Sequence, residues 1–466
     1  MDCQSSSETH SHQSDITVSF LIMTVFTWFR DFVNPKNFIE AQRPIIAVTF
    51  LGGLTPFKVA KEQNETVLKC SIFGYVNSFI HTTIFILCYV MAISKRQSVT
   101  GNFIRSEISN LGDVLQAGTG IGALIMTFIY SIFLRFKLIE AFHSLARTDQ
   151  HLRLIGVEIN YKKSFYRNNL IIFLQVLVLG TYAAVSSAIV LNSGYLLCLS
   201  AWMSFLLPFM MMSMIIILFF SLVDQCQHRF GLLNKVLVSI RSKILEKQML
   251  RYSKKNITEV ALSQKPLAMS TVFPICYSEI INHLASIQSE LCDACDSVED
   301  HFTLQMLTVV AISFLTSVFD LYYISDKLFT GGSAEADISM FQFVTFFFYQ
   351  GLVHVIAVMK IVYITSLAIQ KNKQIAVNVH KLINVNHYDE ELTKQLTNLS
   401  LQMTHRKVAF TAYGFFKLDF TLLFTLVGAA TTYLVILVQF SLNQSPPCDQ
   451  KMSIPDLAQG NATLSP

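Results

Sequence analysis

Seven apolar runs constrain this chain more than any other feature. Residues 71–93, 114–136, 169–191, 197–223, 304–324, 340–367 and 415–440 each reach the roughly 20 residues that cross hydrocarbon as a helix. A backbone in lipid must satisfy its own hydrogen bonds, which a helix does within one segment. A mean hydropathy of +0.47 with only 14% charged residues rules out a soluble protein of 466 residues. The pattern predicts an all-α, multi-pass membrane protein with seven transmembrane helices.

The basic residues set the expected orientation. Arg135, Lys137, Arg147, Arg153, Lys162, Lys163 and Arg167 separate the second and third runs, and a longer basic set from Arg229 to Lys265 separates the fourth and fifth. Lys371, Lys373, Lys381, Lys394, Arg406 and Lys407 precede the seventh, while the alternate loops hold only Lys95, Arg96, Arg105, Lys327 and Lys451. Cationic loops stay in the cytoplasm, so a cytoplasmic N-terminus and an extracellular C-terminus are expected. That layout is inverted relative to a G-protein-coupled receptor, and neither a DRY after the third run nor an NPxxY in the last is present. Acceptor sequons at Asn64, Asn256 and Asn398 would then be cytoplasmic, and those at Asn443 and Asn461 would face out.

The expected organisation is a cytoplasmic N-terminal region over 1–69 with short apolar approach segments at 16–28 and 44–59, then spans one to four within 70–224. A cytoplasmic helical extension over 225–302 follows, with spans five and six within 303–367. Anchor helices over 368–414, the last span over 415–440 and an extracellular tail over 441–466 complete the chain. Helical apolar spacing appears at Leu232, Val236, Val238, Ile240 and Leu245, and again at Leu382, Leu392, Leu396, Leu399 and Met403.

No HExxH, Walker, GxSxG or DFG motif is present, nor a paired-carboxylate set, so enzyme chemistry is not expected. The lone Cys292-x-x-Cys295 lacks a second pair and predicts no metal site; no cofactor and no nucleic-acid patch are indicated. What remains is polar groups inside spans, which are expensive there and usually line cavities or satisfy one another. In the last run, Thr421, Thr425, Gly428, Thr432 and Gln439 recur at helical steps along one face. Small and polar faces pack helices in membranes; the same face, repeated around an axis, is a pore wall.

A second polar set gathers in the outer halves of the other spans. Thr316 and Asp320 share a face of the fifth, Tyr349, Gln350 and His354 open the sixth, Gln116 opens the second and Trp202 opens the fourth. Carboxylate and amide groups hold hydroxyls while aromatic faces cover an apolar ring side, as sugar binding needs. His354 also reads as a satisfied core histidine, and Trp202 and Tyr323 as interfacial belt residues.

Thr432-Tyr433, five apolar residues and Gln439-Phe440 resemble the closing signature of the last helix in insect gustatory receptors, and the wording is similar to the fructose-receptor branch. His405, Val408, Phe410, Ala412, Gly414, Phe415, Leu418 and Asp419 resemble the approach to that helix, and RFGLLNKVL (229–237) resembles its loop wording. The resemblance implies a plasma-membrane taste receptor acting as a ligand-gated, weakly selective cation channel, a homotetramer with or without co-receptor subunits. It implies a small-molecule tastant, a sugar such as fructose or else a plant bitter compound; the outer-half polar set offers Asp320, Gln350, His354, Trp202, Tyr349, Thr316 and Gln116 as its site. Thr425 and Thr432 would line the pore, with Gln439 and Phe440 at its outer gate. A G-protein-coupled receptor and a transporter are the competing classes.

Overall fold

The computed structural model describes residues 33–62, 65–95, 107–192, 194, 197–258, 277–330, 339–386 and 389–444. The expected approach segment at 16–28, the sequons at Asn64 and Asn461, and most of the expected tail lie outside the described residues.

Among the described residues, seven helices are long and apolar enough to span a membrane. They are α3 (Ile72–Ser94), α4 (Glu107–Phe133), α6 (Tyr161–Asn192), α7 (Leu199–Thr258), α8 (Tyr277–Thr330), α9 (Met340–Ile383) and α11 (Phe420–Gln444). Short helices α1 (Phe38–Ala41) and α2 (Arg43–Leu51) precede them, α5 (Arg135–Leu154) follows α4, and α10 (Glu390–His405) precedes α11. Each of the seven expected runs is mostly helical, and three helices far outrun them. At about 1.5 Å per residue, the 60 residues of α7 and 54 of α8 reach about three times the hydrocarbon thickness. They continue past the bilayer because a buried apolar stripe carries on where the lipid stops.

That stripe shares only Ile240 fully with the one the spacing suggests. Along α7 the buried positions are Phe230, Leu233, Leu237, Ile240 and Ile244, while Val238 is exposed and Leu232 and Val236 only flank the core. Steps of three and four starting from Phe230 keep one face toward α8 and α9; a stripe starting at Leu232 is turned about one residue away. The second stripe is as expected, with Leu382, Leu392, Leu396, Leu399 and Met403 all buried. Asp389 caps α10 by accepting from the Leu392 N–H at 2.9 Å, and Glu390 and Glu391 favour the positive end of its dipole.

The spans are not buried equally. Within its most apolar window α7 is 67% buried, making it the hub, whereas α11 is 6% buried. The described basic residues Lys137, Arg229, Lys371 and Arg406 lie at one end of the bundle, where their elements contact one another, hereafter the basic end.

Two antiparallel hairpins interrupt the all-helical plan. β1 (Phe57–Glu62) pairs with β2 (Glu65–Cys70), Phe57 opposite Cys70, and β3 (Thr411–Ala412) pairs with β4 (Phe416–Lys417). The segment at 44–59 is therefore helix α2, a turn and a strand. Its turn wedges among the spans: a side chain at Gly53 (φ 75°) would meet the Ser78 backbone at 3.1 Å and the Phe128 ring at 3.3 Å. The last span likewise starts at Phe420 rather than 415. Tyr413 and Gly414 both take left-handed backbone, closing the β3–β4 turn, and Asp419 accepts from the Thr421 N–H at 2.9 Å to begin α11. The second span stops at Phe133, where the Leu134 carbonyl lies 2.9 Å from His301 Nδ1.

Candidate functional site

Helices α8 and α9 pack together and run antiparallel, since moving up α8 from Ser313 to Asp320 moves back along α9 from His354 to Gly351. His354 Nδ1 on α9 lies 3.2 Å from Ser313 Oγ on α8. Two turns along α8, Asp320 lies against α9 at Gly351, where a Cβ would stand 3.5 Å from Oδ2, an ordinary van der Waals contact. Asp320, Gln350 and His354 are 2–3% exposed, and Thr316, between Ser313 and Asp320, is 5% exposed.

Helix α6 completes the cluster. The Tyr182 hydroxyl donates to Gln350 Oε1 at 3.4 Å, and Thr181 Oγ1 and the Tyr349 hydroxyl are 2.7 Å apart. Phe209 of α7 stacks obliquely on His354 at 5.1 Å between centroids and on Tyr182 at 4.8 Å. Both carboxylate oxygens of Asp320 and the Nε2 of His354 are buried without a hydrogen-bond partner among the described residues. Orphaned polar atoms of this kind are expensive, and an intramembrane carboxylate more so. The site combines unused acceptor capacity with three aromatic walls.

Five of the seven expected ligand-site residues thus share one neighbourhood: Asp320, Gln350, His354, Tyr349 and Thr316. Trp202 reaches it only through Phe205, 6.3 Å from Trp202 and 5.8 Å from Tyr182, and packs instead with an aliphatic and aromatic cluster that includes Ile189 and Phe346. Gln116 lies on α4, which packs on α8; its amide nitrogen is buried and unpartnered among the described residues. Tyr323 is no belt residue: it is 1% exposed, 5.1 Å from the Phe347 ring and close enough to α4 that only glycine fits at 112. Tyr182, Phe209, Ser313 and Gly351 complete the site. Tyr182 is a polar residue near the end of the third apolar run, a signal legible in sequence, whereas Phe209 is one apolar residue among many and carries none.

The polar edge of α11 lies apart from this cluster. Thr421, Thr425, Gly428, Thr432 and Gln439 are all exposed, as is Phe440 at 59%. The opposite face, Leu422, Leu426, Leu434 and Leu437, packs on the bundle, chiefly on α8. The protomer therefore turns the threonine and glutamine edge away from its own core. The approach to α11 is pinned to α8 and α9. Glu299 accepts from the Thr411 N–H at 3.0 Å, Thr303 Oγ1 accepts from the Tyr413 N–H at 2.6 Å, and Thr365 donates to the Leu418 carbonyl.

Residues 42–444 match the family model described as 7tm Chemosensory receptor. The chain is 30% identical over 418 residues to gustatory receptor 28b of Drosophila melanogaster, covering 89% of this chain and 88% of that one. Over 168 residues, 35% of this chain and 31% of the other, it is 29% identical to the Drosophila melanogaster gustatory receptor for bitter taste 66a. Its fold is similar to that of the insect olfactory receptor OR5 from Machilis hrabei in complex with eugenol, with a TM-score of 0.57 at 11% identity over 85% of this chain and 97% of that one. With seven membrane-spanning helices and a family match across most of its length, this multi-pass plasma-membrane chain belongs to the 7tm chemosensory receptor family, a family of receptors and not of enzymes.

Proposed function

We propose that this receptor is a ligand-gated, weakly selective cation channel for taste, in which four copies place α11 around a shared axis. The observation that carries the reading is the exposure of α11. An apolar helix 6% buried within its protomer, with its threonine and glutamine edge outermost, is suited to meeting copies of itself and a water-filled lumen. The basic end faces the cytoplasm. Phe440 then rings the outer mouth as an apolar constriction, Gln439 offers amides to hydrated cations, and Thr432 and Thr425 continue a wettable wall. Without a ring of Asp or Glu on that edge, discrimination among cations is weak.

The ligand site is the α6–α7–α8–α9 cluster around Asp320, Gln350 and His354, with Tyr349 and Thr316. Its enclosure means that Phe209 and Tyr182 must part to admit a ligand. A ligand opens the channel only by binding the open arrangement better than the closed one. The route to the pore is short, because α8 carries Asp320, packs on α11 and holds the β3–β4 hairpin through Glu299 and Thr303.

The ending Thr432 to Phe440 favours a sugar such as fructose. The aromatic walls around one unpaired carboxylate favour a compact plant bitter compound with an aromatic face and a protonated nitrogen, and the partial similarity to a receptor for bitter taste points the same way. Recording currents from cells expressing this chain alone, with G-protein signalling blocked, during pulses of sugars and bitter compounds tests both levels. Currents within milliseconds establish the channel and the panel identifies the ligand; responses abolished by the block would make it a G-protein-coupled receptor. Currents appearing only with a second receptor subunit would assign a co-receptor.

A further inference from the structure

A furrow between α6, α7 and α9 lies away from the pore edge and shares only the Phe209 wall with the ligand cluster. Val178 and Leu179, Phe209 and Met212, and Val353 and Ile356 form its three walls. It is shallow: the space open to a water-sized sphere is about 20 Å³, and all the space between its atoms, open solvent included, is about 380 Å³. Ile356 is 38% exposed on the lipid-facing side, so the furrow opens to the acyl layer.

At its foot Lys360 Nζ donates to Gln175 Oε1 at 2.7 Å. Among the described residues no carboxylate pairs with this ammonium. A cation inside a span usually pairs with an opposite charge or backbone carbonyls, or reaches toward the headgroups. Lys360 stands seven residues before the apolar run ends at Leu367, about 10 Å at 1.5 Å per residue. A lysine stem brings its head most of the way to the headgroups at the basic end. In the other direction Val353 lies about 10 Å up the furrow by the same rise.

We propose that this furrow is a binding site for an anionic phospholipid drawn from the leaflet at the basic end. The phosphate accepts from Lys360 while the Gln175 amide nitrogen donates beside it, and one acyl chain lies along the apolar walls as far as Phe209. A charge at the headgroup end with apolar surface beyond it matches a headgroup with its chain, not a soluble anion or a peptide. Phe209 also stacks on His354 and Tyr182, so a bound chain bears on the ligand cluster. That consequence rests on the ligand-site reading, whereas the lipid site does not.

Full-length protein is exchanged into phosphatidylcholine nanodiscs doped with dioleoyl phosphatidylglycerol, re-extracted, and its retained lipid counted by mass spectrometry. Wild type and Lys360→Arg retain phosphatidylglycerol over phosphatidylcholine, and Lys360→Gln loses about five- to tenfold of that preference, the scale of one interfacial cation. Ile356→Trp keeps the charge but fills the furrow and loses retention as well, which covers the case in which Lys360→Gln does not fold. Equal phosphatidylglycerol preference in wild type and Lys360→Gln, or unchanged retention in Ile356→Trp, overturns the proposal. Oleate that displaces phosphatidylglycerol and is held more tightly assigns the site to free fatty acid and also overturns it. None of these readouts depends on current, so their failure is distinct from a failure of the channel reading.

Discussion

Asp149 and Arg229 form a buried ion pair at the basic end, and its removal gives the sharpest stability prediction. Arg229 is 0% exposed and Asp149 3%. Nε and Nη2 of Arg229 donate to the two carboxylate oxygens at 2.7 and 2.8 Å, Tyr161 donates to the same carboxylate at 3.0 Å, and Nη1 donates to the Gln225 carbonyl and side chain. The Phe38 ring lies 4.7 Å from the guanidinium. The pair thus ties α5, α6, α7 and α1 together. Unit charges about 4 Å apart attract by about 4 kcal/mol at an effective dielectric of 20, and deleting one partner also strands the other charge away from water. Asp149→Ala is therefore expected to lose about 3–5 kcal/mol, two orders of magnitude or more in the folded ratio. The apolar double replacement Asp149→Leu with Arg229→Met removes both charges and should recover most of that loss. Equilibrium unfolding in mixed micelles, run for wild type, both singles and the double, measures all four corners. An Asp149→Ala loss under about 1 kcal/mol, or a double worse than either single, would refute the idea that net charge stranding dominates here.

Asp320→Asn should weaken the response to the activating tastant tenfold or more while surface expression holds, because the change removes the acidic group and leaves the shape; an unchanged dose response takes Asp320 out of the site. Phe440→Ala should raise resting current if that ring is the constriction, read as leak in unstimulated cells; a silent resting channel that gates normally argues for a gate elsewhere. Gly112→Ala would place a methyl 2.5 Å from the Tyr323 hydroxyl and 2.8 Å from the Phe319 ring, so a loss of about 1–3 kcal/mol is expected from forcing α4 off α8. A thermal midpoint equal to wild type would show that the two helices part freely. Burial, followed by the Arg147 charge, lowers His143 below its ordinary 6.5. The unfolded chain then binds the proton first, so stability falls as pH drops below about 6.5, through the unfolded value toward the lower folded one; His143→Gln should flatten that slope in pH-dependent melts.

The amino-acid sequence by itself determined the seven spans, because about 20 apolar residues admit few alternatives in lipid. It also marked the polar edge of α11 at Thr425, Thr432 and Gln439, whose periodicity is local. It brought Asp320, Gln350 and His354 into view because buried polarity within a span is rare enough to stand out. The partners of those residues came only from tertiary packing. Phe209 is one phenylalanine among 38, and it matters because α7 crosses α9 at His354; Trp202, a better candidate on paper, is taken up by a neighbouring cluster. The register of the α7 stripe, the hairpin that starts α11 at Phe420 and the pairing of Asp149 with Arg229, 80 positions apart, depend on which helices become neighbours. Helix periodicity carries that information only within one segment, whereas contact between segments is decided by the packing of the whole bundle.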